Sequence, residues 1–268
     1  MGSGDKTETV IRVEDLVARY GQRVILDHVS LEVARGKVTT ILGGSGSGKT
    51  TLLRHMIGLN QPAGGRVVFM DQDMGRLTRA QELAVRRKMG VLFQAGALFN
   101  SMTVAENIGL ALKEHTRLDD KVISIVTKMK LEQVGLAGFG GLMPEQLSGG
   151  MKKRAGLARS LAMDPEVLFV DEPSAGLDPI TAAGLDELLV SLKTTFKMTI
   201  VVVTHELASV FRISDKVAMI DQGRILFFGN LEELKSCDHP RVRQFLNRKP
   251  DELEYDPEEH LRWLTAGV

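Results

Sequence analysis

The stretch Gly43–Thr51, GGSGSGKTT, satisfies the pattern G-x-x-x-x-G-K-[ST]. It follows an apolar run, Val38–Leu42, and precedes a predicted helix, Thr50–Gly58, which is the strand–loop–helix setting that the pattern requires. Glycines let backbone N–H groups turn inward around a polyphosphate, and the positive end of the following helix points to the same place. The stretch therefore predicts a phosphate-binding loop, with a Gly/Ser-rich turn as the alternative.

Two side chains of this loop have distinct predicted roles. Lys49 is expected to reach the β- and γ-phosphates of a nucleotide, and the hydroxyl of Thr50 is expected to hold Mg²⁺. The predicted nucleotide contacts in the loop are Gly43, Gly44, Ser45, Gly46, Ser47, Gly48, Lys49, Thr50 and Thr51.

A second apolar run, Val167–Val170, ends in two acids, Asp171 and Glu172. Open α/β sheets bind their ligands at the carboxyl ends of strands. Asp171 is therefore a predicted Mg²⁺ contact, and Glu172 is the predicted general base that orients and polarises the attacking water. A buried strand that ends in a solvated acidic turn is the alternative, which the preceding phosphate loop disfavours.

The composition limits the other possibilities. The chain has 268 residues, with 34 basic and 34 acidic side chains, so its formal net charge gives no general case for nucleic-acid binding. The single cysteine, Cys237, cannot form an internal disulfide and fits a reducing compartment. The first residues, MGSGDKTET, have no apolar signal core, and no apolar run approaches the roughly 20 residues of a membrane span. A membrane role is expected only through a partner.

The order of the predicted elements indicates an α/β fold. Strands are predicted at the N-terminus, over Val10–Arg19 and Val24–Val33, and helical periodicity dominates between Leu98 and Ala162. Strand–helix alternation resumes from Val167 to Gly229, which predicts a parallel sheet covered on both faces. The remaining predicted segments are strands at Arg66–Met70, Met89–Phe93, Thr199–Thr204, Val217–Asp221 and Arg224–Gly229, and helices at Val104–Lys113, Lys121–Val134, Gly149–Met163, Thr181–Phe196 and Glu206–Ile213.

The segment Leu147–Met151, LSGGM, precedes one of these helices, and its serine and glycines suit an anion at a helix N-terminus. Here the chain resembles the ATP-binding cassette family, whose signature is LSGGQ or a close variant. The resemblance implies a P-loop NTPase (RecA-like) core with a mixed sheet, an N-terminal antiparallel β subdomain and a helical signature subdomain at about 95–163. It also implies that Ser148, Gly149 and Gly150 close over ATP bound by a second copy, in a head-to-tail dimer. Met151 stands where Gln is commonest, but the serine and both glycines carry the phosphate contacts.

The other motifs of the family occur in order. The resemblance implies that Tyr20 stacks on adenine, that Gln94 senses Mg²⁺ and water and contacts the transport partner, and that His205 contacts the γ-phosphate. Ser174–Asp178, SAGLD, matches the loop that crosses the dimer interface, and Asp178 is an expected ATP contact. Taken alone, Tyr20 favours a core position and a lone histidine favours a structural one. The implied cofactors are ATP and Mg²⁺, and the implied activity is ATP hydrolysis, with Glu172, His205 and Gln94 as catalytic residues and Thr50, Gln94 and Asp171 on the metal.

Three segments are also similar to the ATPases of bacterial Mla (Ttg2-type) phospholipid transport systems: Gly90–Leu112, Leu147–Ile180 and Asp238–Leu246. That resemblance implies an integral membrane permease, an MCE-domain lipid-binding protein and a STAS-domain protein as partners. It places the ATPase on the cytoplasmic side of the inner membrane, where it powers lipid movement between inner and outer membranes. Leu98, Phe99 and Met102 suit a groove for a permease helix or packing inside the helical region.

The nucleotide-binding domain is expected over residues 1–248, followed by an acidic C-terminal extension, 249–268, which contains Trp263. The extension is either a solvated tail or a segment that docks on a second copy or on a regulator, with a short helix at Glu258–Leu264. Two alternatives to lipid transport stay open: the ATPase of another permease, such as a polar-solute importer, and a soluble cassette ATPase without a transport role.

Overall fold

The computed structural model describes residues 8–94 and 96–250, which fall into two compact units divided after Ser236. The strands described in the first unit are β1 (Thr9–Tyr20), β2 (Arg23–Ala34), β3 (Val38–Leu42), β4 (Gly64–Phe69), β5 (Gln72–Asp73), β6 (Met89–Leu92), β7 (Val167–Asp171), β8 (Thr199–Thr204), β9 (Lys216–Asp221) and β10 (Arg224–Gly229). Its helices are α1 (Lys49–Met56), α2 (Arg79–Arg87), α3 (Val104–His115), α4 (Asp120–Gln133), α5 (Gly149–Ser160), α6 (Pro179–Phe196), α7 (Leu207–Ile213) and α8 (Leu231–Ser236). None of the helices in the described part of the chain is long and apolar enough to cross a membrane.

The larger sheet has the order β10-β9-β3-β8-β7-β6. All of its pairs are parallel except β10 with β9, so the sheet is mixed, as expected. Every residue of β3, β7 and β8 is buried, which explains why these strands are mostly apolar and show no alternation of apolar and polar residues. Because β3, β8 and β7 are parallel neighbours, their carboxyl ends meet at one edge of the sheet.

Successive residues of the central strands β7 and β8 pack in two different hydrophobic cores. Val167, Phe169, Val201 and Val203 pack in a core with β1, β2 and α1, while Leu168, Val170, Ile200 and Val202 pack in a core with α3, α4, α5 and α6. This division follows from the alternation of side chains along a strand. The sheet therefore joins the smaller antiparallel sheet, ordered β2-β1-β4-β5, to the helical region.

The helical region contains α3, α4 and α5, as the sequence predicts. Thr103 and Glu106 form a capping box at the start of α3, and Ser148 caps α5 by accepting a hydrogen bond from the N–H of Met151. The predicted helix Gly149–Met163 ends earlier, at Ser160.

The helix α2 and the short strand β5 are absent from the sequence interpretation. Among the residues of α2 only Val85 is buried, so no apolar periodicity marks the helix. Its sequence signal is the capping box of Thr78 and Gln81.

In the second unit, α9 (Pro240–Leu246) begins with proline at its first turn. Arg243 donates hydrogen bonds to the carbonyl of Cys237, at 3.2 Å, and to the carboxylate of Asp238. The predicted helix Glu258–Leu264 and most of the acidic extension lie outside the described residues. The predicted domain boundary after residue 248 stays a prediction.

Candidate active site

The phosphate loop runs from the end of β3 into α1. Gly46 and Gly48 have φ values of +74° and +108°, in the left-handed region that glycine adopts without strain. Gly48 is the N-cap of α1 and offers no side chain to the free N–H groups of the first turn. Those N–H groups and the positive end of the helix are therefore available to an anion.

Gly43 is required by close packing. A Cβ atom there would lie 2.2 Å from the carbonyl oxygen of Ile220 and 2.7 Å from the Oγ of Ser47. The beginning of the loop is thus pressed against the end of β9. At Gly44, by contrast, a Cβ atom would meet nothing within 4 Å.

The ammonium group of Lys49 lies across the loop. Its Nζ donates hydrogen bonds to the carbonyl oxygens of Gly43, at 3.0 Å, and Gly44, at 2.7 Å, and lies 4.0 Å from the Oε1 of Glu172. Burial lowers the pKa of Lys49, and the neighbouring carboxylates of Glu172 and Asp171 oppose that shift. This position is where a nucleotide's terminal phosphates are expected.

The two acids after β7 are nearly inaccessible, with exposures of 6% for Asp171 and 8% for Glu172. Burial raises the pKa of Asp171, and the adjacent Glu172 raises it further. The Oδ1 of Asp171 and the Oγ of Ser47 are buried without a hydrogen-bond partner among the described residues. Because buried oxygens of this kind are normally satisfied, these atoms fit a bound cation and its ligands.

Glu172 is held in an uncommon conformation. Its φ is +46°, which costs energy for a residue with a side chain. The N–H of Glu172 donates to the carbonyl of Val203 at 2.8 Å, and its Oε1 lies 3.0 Å from the Nδ1 of His205. When Glu172 is ionised its carboxylate can only accept, so Nδ1 of the imidazole carries the hydrogen. His205 follows β8 directly, and its side chain is 59% exposed.

The structure thus brings four predicted residues to one edge of the sheet: Lys49, Asp171, Glu172 and His205. Gln94, which is exposed after β6, is joined to this group by its backbone, since its carbonyl accepts a hydrogen bond from Lys153. That buried lysine also reaches the carbonyl of Glu172, at 3.0 Å, and was not singled out by the sequence interpretation. Lys153 stands in the basic run Met151–Arg154, MKKR, which gives no sign that one of its lysines is buried.

The remaining predicted contacts lie on separate elements. Tyr20, at the end of β1, is 53% exposed, and its hydroxyl accepts a hydrogen bond from Asn60 at 3.3 Å. Ser148 caps α5 and Asp178 caps α6 through its contacts with Ile180 and Thr181. Among the described hydrogen bonds, none joins Ser148 or Asp178 to the phosphate loop.

Comparison with known proteins agrees with this geometry. The sequence model of the ABC transporter family matches residues 26–175. The intermembrane phospholipid transport system ATP-binding protein MlaF of Haemophilus influenzae is 38% identical over 260 residues, which cover 96% of this chain and 98% of that protein. The MlaF protein of Escherichia coli K12 is 41% identical over 238 residues, covering 89% of this chain and 88% of that protein.

A solved structure shows the same architecture. An ATP-binding cassette determined as a dimer in a post-hydrolysis state, with ADP and Pi bound, superposes with a TM-score of 0.75 and is 28% identical. The match covers 82% of this chain and 98% of that chain. The predicted fold class and the predicted family are both confirmed, and the chain belongs to the ABC transporter family of ATP-binding cassettes.

Proposed function

We propose that the protein is the ATP-hydrolysing subunit of a bacterial ABC transporter, which powers phospholipid transport between the inner and outer membranes through a separate permease. The convergence of Lys49, Glu172 and His205 on the phosphate loop carries the ATPase assignment. The identity with two MlaF proteins over most of the chain supports the phospholipid assignment.

The loop provides the binding contacts for ATP. Backbone N–H groups between Gly43 and Thr51 surround the phosphates, and Lys49 exchanges its two carbonyl partners for the β- and γ-phosphate oxygens. The exposed ring of Tyr20 stacks on adenine. Since the charges of the phosphates and of Lys49 meet in a partly buried site, their attraction is less screened than in water.

Hydrolysis needs a base beside the γ-phosphate. Glu172 accepts the proton of the attacking water, and His205 orients the carboxylate through the 3.0 Å contact. Glu172 has a left-handed backbone, and its Oε1 lies 4.0 Å from the Nζ of Lys49. Thr50, Gln94 and Asp171 are the residues that would hold Mg²⁺, whose charge neutralises the phosphates.

The signature segment completes the site of a second copy. Ser148 and Gly149 are exposed at the positive end of α5, which suits an anion presented from outside the protomer. Gly150 and Asp178 lie at the starts of α5 and α6 and belong to the same surface of this proposal. Two copies in head-to-tail arrangement then enclose two ATP molecules.

The permease contact is proposed on a groove between α2, β6, α3 and α5. Phe99 is 50% exposed there, and its ring lies 5.6 Å from the guanidinium carbon of Arg159. Leu98 instead packs against the helical core. Phe99 therefore suits the expected groove for a permease helix, whereas Leu98 suits the expected packing inside the helical region. The proposal includes an MCE-domain lipid-binding protein and a STAS-domain protein as further subunits, with the ATPase on the cytoplasmic face of the inner membrane.

The ATPase assignment is tested with the purified full chain. We expect MgATP turnover in the wild type and its loss by about 10²–10³-fold in Lys49→Ala, since a positioned phosphate contact disappears. Lys128→Ala, a change of an exposed lysine on α4, should leave turnover unchanged. Equal turnover in Lys49→Ala and the wild type would contradict the assignment.

The transport assignment is tested by purifying the tagged chain from its native cell in gentle detergent and identifying its partners by mass spectrometry. A multi-span permease together with an MCE-domain protein would support lipid transport. A permease recovered with a soluble solute-binding protein would favour a small-solute importer, and soluble partners alone would favour a cassette without a transport role.

A further inference from the structure

Lys153 is a buried cation inside the helical region. It lies on α5, four residues after Gly149, and only 6% of its surface is exposed. A buried ammonium group is costly unless its hydrogens find acceptors. Its Nζ donates to two backbone carbonyls, those of Gln94 and Glu172, the latter at 3.0 Å.

These two carbonyls belong to the two loops that carry the proposed catalytic side chains. Gln94 follows β6, and Glu172 follows β7, which is the neighbouring strand in the sheet. One ammonium group therefore fixes the distance between the backbone of the proposed water-sensing residue and the backbone of the proposed base. Neither carbonyl lies on the same element as Lys153, so the contact joins three elements.

The carbonyl contact matters because Glu172 is strained. A side-chain-bearing residue with φ of +46° stays in that conformation only when its surroundings hold it. The N–H group donates to Val203 at 2.8 Å, and the carbonyl accepts from Lys153 at 3.0 Å and from the N–H of Ala175 at 3.3 Å. Removing Lys153 takes away the shorter and only charged of the two donors, which weakens the restraint on the peptide after Glu172 and lets the carboxylate shift.

A second observation places the same face of α5 against the segment after β6. Gly156, one turn beyond Lys153, lies so close that a Cβ atom there would be 2.8 Å from the carbonyl oxygen of Gly96. One further turn along, Arg159 donates a hydrogen bond to the carbonyl of Ala97. Positions 153, 156 and 159 lie on one face of the helix, so α5 holds this segment over two turns.

The charges around Lys153 agree with this role. Burial lowers its pKa, while the neighbouring carboxylates of Asp171 and Glu172 oppose the shift and favour the ammonium form. The two acids after β7 are thus balanced by two lysines, Lys49 from the phosphate loop and Lys153 from α5.

We propose that Lys153 is a positioning residue for ATP hydrolysis, which fixes the backbone of Glu172 and Gln94 so that the base faces the γ-phosphate. The inference rests on the proposed ATPase function and adds a residue to it. Because Lys153 is buried and its ammonium group donates to two backbone carbonyls, we expect it to contribute to the chemical step and not to ATP affinity. It also makes the geometry of the base depend on the helix that begins with the signature segment.

The test compares three variants of the full chain: Lys153→Met, Lys153→Arg and, as a matched control one residue away, Lys152→Met. We measure kcat and KM for MgATP, together with the midpoint of thermal unfolding. In Lys153→Met, kcat should fall by about tenfold or more while KM changes by less than about twofold, since only the placement of the base is altered. Lys153→Arg, which keeps a charged donor, should recover most of kcat, and Lys152→Met should behave as the wild type.

An unchanged kcat in Lys153→Met, an equal loss in Lys152→Met, or no recovery in Lys153→Arg would overturn the inference. If Lys153→Met does not fold, Lys153→Gln replaces it, and the same three results decide. A wild type that folds and hydrolyses no ATP would overturn the proposed function, and the inference with it. If the wild type hydrolyses ATP and Lys153→Met has the same kcat, the inference is overturned and the proposed function stands.

Discussion

The Nδ1 of His205 lies 3.0 Å from the Oε1 of Glu172, although 33 positions separate the two residues in the sequence. The contact exists because β7 and β8 are parallel neighbours and both residues follow the ends of their strands. It places an imidazole ring beside the proposed base, and while Glu172 is ionised the hydrogen between them belongs to Nδ1. The proposed chemistry depends on this pair.

The first prediction concerns the base itself. Glu172→Gln keeps the shape of the side chain but removes its basicity, so kcat should fall by about 10²–10⁴-fold. ATP binding should persist, because Lys49 and the loop are unchanged, and the dimer formed on ATP should last longer. The measurements are steady-state ATPase activity and size-exclusion chromatography with light scattering in MgATP.

Glu187→Gln is the matched control, since the side chain of Glu187 is 74% exposed on α6. It should hydrolyse ATP at the wild-type rate and show the wild-type dimer lifetime. Near-normal turnover in Glu172→Gln would refute the assignment of the base.

The central strands and the phosphate loop could be predicted from sequence because their signals are local. Val38–Leu42 and Thr199–Thr204 contain only apolar residues and threonine, and both appear as fully buried strands with the predicted bounds. The position of Glu172 after its strand was also sufficient to place it near the loop. Its left-handed backbone was not predictable, because no pattern in the sequence requires it.

Contacts between elements that are distant in the sequence could not be predicted from it. Lys153 stands in the basic run MKKR, a pattern that is typical of a helix face exposed to solvent. Only the packing of α5 on the segment after β6 shows that one of these lysines is buried. Similarly, α2 is polar almost throughout and owes its stability to capping and to the contact of Val85, so periodicity does not reveal it.

A second prediction uses the two glycines at the start of the loop. In Gly43→Ala the new methyl group meets the carbonyl of Ile220, which is backbone and cannot yield, so the loop must shift. We expect a loss of about 1–3 kcal/mol in the free energy of unfolding and a clear loss of ATP binding. Gly44→Ala, where the methyl meets nothing within 4 Å, should fold with wild-type stability. Thermal unfolding and binding of a fluorescent ATP analogue distinguish the two, and equal behaviour of both variants would contradict the prediction.

A third prediction tests the packing of α5 without changing a charge. Gly156→Ala places a methyl group against the backbone of Gly96, so the free energy of unfolding should fall by about 1–3 kcal/mol. Since Gly96 lies beside Gln94, kcat should fall as well. The control is Gly141→Ala, where a Cβ atom has open space around it. Urea unfolding and ATPase activity are the measurements. If Gly156→Ala has the wild-type free energy of unfolding and the wild-type kcat, the backbone of Gly96 moves aside at little cost and the prediction is wrong.

The last prediction concerns Asp186, a buried carboxyl group on α6 that lies outside the proposed chemistry. It is 3% exposed, and its Oδ1 has no hydrogen-bond partner within the described part of the chain. Burial raises its pKa above the usual 3.8, although a hydrogen bond from Ser209 and the charge of Arg212 oppose the shift. A raised carboxyl pKa means that the folded state binds the proton more tightly than the unfolded chain does.

The stability that comes from the protonated Asp186 is therefore complete below the unfolded pKa and is lost as the pH rises through the folded value. Asp186→Asn, which cannot ionise, should unfold about 2–4 °C above the wild type near pH 8, and the difference should shrink as the pH falls through the folded pKa toward the unfolded one. Asp71→Asn, at a position where the carboxylate is 84% exposed, should show no such trend. Calorimetry across this pH range is the measurement. A difference between Asp186→Asn and the wild type that grows on acidification would mean that the carboxylate is stabilised in its ionised form, against the effect expected from its burial.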